Sequence, residues 1–188
     1  MRSKTSLLQA SLASHPVAVE LGSYRFVIPA CPASVWIDAL ADEDPVTCVV
    51  PGMLGGRGYE RSTRLIAQDL ISLTQVRAAS FAAIREASGY RWWEAMRLVG
   101  LADQDSYVVG ELALLGVDPD AIPFARWCAA VHALATRNME PKDRAKWDAK
   151  LSVPPPIEEA MEEAAEAEGS FEDMVRGFRS LPGARSGQ

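Results

Sequence analysis

The sequence predicts a mainly α-helical protein, with a small N-terminal β-hairpin or α+β unit packed on a multi-helix domain and an acidic helical or disordered tail. Three observations carry that reading. Between Tyr90 and Trp147, large apolar residues recur every three or four positions in short runs closed by turn signals. Near the N-terminus, two β-prone runs flank Gly22-Ser23. At Pro154-Pro155-Pro156 the composition changes abruptly, and glutamate dominates the residues beyond.

Residues 1–15 read as a flexible arm. They include Leu7, Leu8 and Leu12 as large aliphatic residues, too few for the apolar core of a signal peptide. Val17 to Leu21 and Tyr24 to Ile28 have the spacing of a hairpin. Pro32-Ala33-Ser34 then opens a helix carrying Val35, Trp36 and Leu40, with Trp36 expected over one face of the sheet. Val46 to Val50, ending at Pro51, is expected as a third strand. Residues 16–51 thus form a small α+β unit, too small to stand alone.

Four glycines in Gly52–Gly58 predict a mobile joint over residues 52–60. The helical domain, residues 61–151, begins with the longest expected helix, Arg61 to Ser88, carrying Ile66, Leu70, Leu73 and Val76. Trp92, Met96 and Val99 form the next stripe, and Val108, Leu112 and Leu115 another that ends at Gly116, a C-cap signal. Asp118-Pro119-Asp120 and Pro123 restart the chain into Phe124, Trp127, Val131 and Leu134. Pro141 opens a last helix in which Trp147 and Leu151 share a face. Residues 152–188 are the proline spacer and amphipathic tail, where Phe171, Met174, Val175 and Phe178 make an apolar edge.

Charge and cysteine usage restrict the function classes. The chain of 188 residues is 48% apolar and 23% charged, with net charge −6. Residues 152–188 hold eight acids and three arginines, so the body before them is within one charge of neutral. That leaves no electrostatic footprint for nucleic acid. No apolar run approaches the roughly 18 residues that span a bilayer. Cys31, Cys48 and Cys128 are scattered and odd in number, which points to a reducing compartment.

The candidate chemistry is sparse. Gly52–Gly58 lacks the Gly-Lys-Ser/Thr ending of a phosphate loop, since Tyr59 follows Gly58, and its glycine spacing does not match a dinucleotide fingerprint. Cys128 and His132 are four apart on a helix, yet zinc takes three or four ligands and the only other histidine is His15. A buried thiol and a boundary histidine are the simpler reading. Asp103, Asp105, Asp118 and Asp120 sit where helix starts are expected, which capping explains. The sequence therefore predicts no catalytic residue, no metal site and no cofactor.

Adjacent Trp92 and Trp93 point about 100° apart on a helix, so both cannot occupy the centre of one stripe. One is expected at the boundary or surface, where an exposed tryptophan is a typical binding anchor. Trp92, Trp93, Phe171, Met174 and Phe178 are the candidate partner-binding residues.

Several stretches resemble tail assembly chaperones of long-tailed actinobacterial bacteriophages. They are Trp92–Leu98 (WWEAMRL), Asp118–Asp120 (DPD), Phe124–Leu134 (FARWCAAVHAL) and Lys142–Pro156 (KDRAKWDAKLSVPPP). Pro32–Leu40 (PASVWIDAL) and Val49–Gly52 (VVPG), with the strand pair before them, are similar to the same family. The resemblance spans most of residues 16–156 and its motifs are structural. It implies a non-enzymatic protein of the host cytoplasm during virion assembly, absent from the mature particle. Such a protein coats the tape measure protein, keeps it soluble and helps recruit tail-tube (major tail) subunits, the latter through a longer product made by frameshifting. Many copies along one client, as a homo-oligomer, would gain avidity. The competing expectations are a virion protein at the head–tail connector or tail-completion position, and a small nucleotide-binding regulator or enzyme using the Gly52–Gly58 loop.

Overall fold

A computed structural model describes residues 15–41 and 45–154. Among them are a two-stranded antiparallel sheet and eight helices. Strands β1 (Val17–Leu21) and β2 (Tyr24–Ile28) pair in the register that sets Leu21 opposite Tyr24. Gly22 has φ +57°, as a two-residue hairpin turn with glycine in its first central position requires. Val17, Val19, Leu21, Phe26 and Ile28 are buried, the period-two pattern of a sheet with one covered face.

The helices are α1 (Ala33–Leu40), α2 (Pro45–Met53), α3 (Gly55–Ala67), α4 (Leu73–Ser88), α5 (Trp92–Gln104), α6 (Ser106–Leu114), α7 (Phe124–Thr136) and α8 (Pro141–Ser152). Helix α4 is the hub, packing against β1, α2, α5 and α7. The described residues before Pro154 belong to one compact unit, so the hairpin and the helices share a core. Trp36 of α1 stacks on Phe124 of α7 with ring centres 5.8 Å apart.

Three expected elements differ. Val46 to Val50 is not a strand but part of α2, with Val49 and Val50 fully buried. Burial against α4 outweighs the β-preference of valine. The expected joint at residues 52–60 is helical except for a break at Leu54. Gly55 there takes φ +72°, and a Cβ on Gly58 would meet the Leu54 Cβ at 2.8 Å. The glycines permit a tight helix-to-helix bend in place of a loose linker.

The expected helix Arg61–Ser88 is two helices. Asp69 ends α3 in the left-handed conformation, φ +54°, and the Leu70 and Asp69 amides donate to the Leu65 and Ile66 carbonyls. This is a Schellman cap with aspartate where glycine is usual. Ser72 then starts α4 through a capping box with Gln75. The break rotates the stripe, so Leu65, Ile71 and Val76 are buried whereas Leu70 and Leu73 are exposed.

The later helices match the expected stripes closely. Gly116 caps α6 with φ +66°, while the Val117 amide donates to the Leu112 carbonyl. Leu115, expected inside, is exposed. No helix among the described residues is long and apolar enough to cross a membrane. Of the expected arm, residues 1–15, all but His15 lies outside the described residues, as does the tail beyond Pro154.

Candidate functional site

The tryptophan pair does not form a surface anchor. Trp92 and Trp93 are 5% and 2% exposed, which corrects the expectation that one faces out. Helix α5 sits between other elements, so side chains 100° apart both find cover. Trp92 stacks on Phe81 of α4 at 5.1 Å and meets Trp93 edge-on at 6.1 Å. The Arg91 guanidinium lies 5.2 Å from the Trp93 ring centre. Both indole N–H groups are buried without a protein acceptor. Phe171, Met174 and Phe178, the other candidate anchors, lie outside the described residues.

Cys128 and His132 do share a face of α7, and Asp148 of α8 joins them, its Oδ1 2.9 Å from His132 Nε2. Trp147 meets the His132 ring edge-on at 5.2 Å and Tyr90 lies across it at 6.2 Å. A Cys-His-Asp series invites a nucleophilic reading, but Cys128 is fully buried. Burial pushes its thiol far above the ordinary range, against the thiolate that a nucleophile needs. Burial also raises the Tyr90 phenol, with smaller contributions from Cys128, Glu94 and Asp148. The cluster's visible work is to join α7 to α8.

A second cluster holds Cys31, His15 and Glu86 around a cavity of about 190 Å³ beside Trp36 and Phe124. Desolvation raises the Cys31 thiol, opposed by a hydrogen bond from Trp36, so this thiol too is held protonated. Among the described residues, no three His, Cys, Asp or Glu side chains are grouped to hold a metal ion.

One concave feature of the described residues is mainly apolar. A groove of about 580 Å³ runs between α1, α5 and α6, with Trp127 of α7 also lining it. Leu40, Val99, Leu112 and Trp127 are buried lining residues, whereas Val109 is 50% exposed. From α5 it takes Met96, Val99, Gly100 and Asp103, the i, i+3, i+4, i+7 face of a helix. Asp103 thus serves the groove and not a helix start, unlike Asp105, whose Oδ1 caps α6 by accepting from the Tyr107 amide at 2.9 Å.

Helix α6 makes this edge unusual. Its sequence SYVVGELAL carries one charge, Glu111, which is paired with Arg137 at 3.1 Å. A helix with so little polar surface is normally largely buried. Here Tyr107 and Val109 are half exposed and Leu114 is 83% exposed. Aromatic residues drew the sequence-based anchors to the tryptophans and away from α6; an almost uncharged short helix was the available signal. No family model matches the chain, and no curated protein or solved structure matches it.

Proposed function

We propose that this chain is an assembly chaperone that covers the apolar face of a helical client. The client is the tape measure protein of a long-tailed phage, held until tail-tube subunits replace the chaperone. The observation that carries the binding reading is the open apolar groove beside α6, a helix with a single charged residue that is left partly uncovered. Exposed apolar surface of this kind marks protein–protein contact. The client's identity rests on the resemblance of residues 16–156 to tail assembly chaperones.

A long amphipathic client aggregates through its stripes when unpaired. Each chaperone copy would cover a short length, so weak contacts would sum along the client and still release stepwise. Recruitment of tail-tube subunits would belong to a longer frameshifted product. The test is co-expression with the tape measure protein of the same phage. That protein should move from the insoluble to the soluble fraction and co-purify with this chain. Failure to do either rejects the reading.

A further inference from the structure

We infer that the groove between α1, α5 and α6 takes an amphipathic helix of a partner whose apolar edge is flanked by lysine or arginine. This deepens the chaperone reading and rests on the chain having a helical client, though not on which protein supplies it. Shape gives the first support. The α5 face made by Met96, Val99, Gly100 and Asp103 runs along the groove, so it presents a ridge at the spacing by which helices pack. Gly100 leaves a gap in that ridge: a Cβ built there meets nothing within 4 Å. Mid-helix glycine is unfavourable, and here it opens room for a knob from the partner.

Charge then selects the occupant. Asp103 lines the groove and is exposed, while Asp38, Asp118 and Asp120, also exposed, neighbour the lining residues Ile37 and Pro119 in the chain. No lysine or arginine lines it. Two arginines neighbour lining residues. Arg97 keeps its charge but holds it against the carbonyls of Lys150, Leu151 and Val153 at the end of α8, and Arg126 is the other. Asp103 is thus the one charged residue lining the groove, and the lining residues have three exposed aspartates against two arginines as chain neighbours. That acidic excess disfavours acidic helices and favours basic flanks.

The experiment uses the full chain and a fluorescein-labelled peptide of about four helical turns, with Leu and Met along one edge and Lys on both flanks. Fluorescence anisotropy should show saturable binding, with at least about tenfold weaker binding for the same peptide bearing Glu flanks. A scrambled isomer should not bind. Raising salt from low to several hundred millimolar should weaken the Lys peptide several-fold. Gly100→Leu fills the gap and should abolish binding with the circular dichroism and melting temperature retained. Should that variant misfold, Asp103→Asn with Asp38→Asn must instead narrow the Lys-over-Glu preference. Equal binding of Lys and Glu peptides, binding of the scrambled isomer, or full binding by folded Gly100→Leu each overturns the inference. A change in oligomeric state on Gly100→Leu assigns the groove to a second copy and overturns it too. Peptide binding blocked by Gly100→Leu without any effect of the intact chain on the tape measure protein would reject that client while leaving the groove assignment standing. Undiminished solubilisation of that client by folded Gly100→Leu would do the reverse.

Discussion

Asp148 Oδ1 lies 2.9 Å from His132 Nε2 and so joins α8 to α7 beside a ring cluster of Tyr90, His132 and Trp147. Asp148 is about half exposed, so water screens the pair and moderates its worth. Asp148→Ala should lower stability by about 0.5–1 kcal/mol. The denaturant midpoint should fall with an unchanged slope. A much larger loss would mean that the pair carries more than the docking of one helix.

Cys128 predicts an alkaline limit. An ordinary thiol ionises near 9.0, and burial raises the folded one above that. Below 9.0 both states are protonated and this contribution is fully present. Above it the unfolded chain loses the proton first, so stability declines until the folded thiol also ionises. Cys128→Ala should flatten the decline above pH 9 while costing about 1–3 kcal/mol at neutral pH through lost packing. An unchanged alkaline slope would assign the decline to other groups.

The buried tryptophans should behave as core. Trp93→Ala should cost about 3–5 kcal/mol. Trp93→Phe should cost far less, because the indole N–H has no protein partner to lose. Thermal melts of the two variants check this. Equal losses would show that the N–H is satisfied by water.

Arg97 donates to three carbonyls at the end of α8, at 2.9, 2.7 and 2.8 Å. One guanidinium thus satisfies acceptors that the helix itself cannot. Arg97→Ala should destabilise by about 1–2 kcal/mol. Amide exchange in residues 145–152 should accelerate more than in α4. Uniform acceleration would show that α8 does not open separately.

A chain ending at Pro156 should keep cooperative unfolding, because the described residues before Pro154 form one compact unit. Circular dichroism during urea unfolding measures it. Loss of the cooperative transition would place part of the core beyond the cut.

Local signals made much of this fold legible. Gly22, Gly89 and Gly116 each mark a turn or helix end with positive φ, and Pro123 and Pro141 open helices where expected. The Ser72–Gln75 capping box was equally readable, although the apolar run across it obscured the break. Asp69 was harder, since left-handed aspartate is less common than left-handed glycine. Val46 to Val50 could not be assigned from propensity, because a short β-branched run reads alike as strand or buried helix.

The candidate site was less legible. A groove arises from what three separated helices fail to fill, and no spacing within one of them records it. Trp92 and Trp93 illustrate the same limit: their 100° separation is a property of the helix, but whether both are covered depends on Phe81 and the elements around α5.

By itself the sequence determined the mainly helical class, the hairpin, several helix ends and the near-neutral body, because caps, turns and periodicity act over a few residues. Only the tertiary structure decided that Val49 and Val50 are helical, that both tryptophans are buried, that Asp148 reaches His132, and that α6 stays partly uncovered beside an apolar groove lined by Asp103. Those outcomes depend on contacts between residues far apart in the chain, where packing and desolvation set the energy and local preference contributes little.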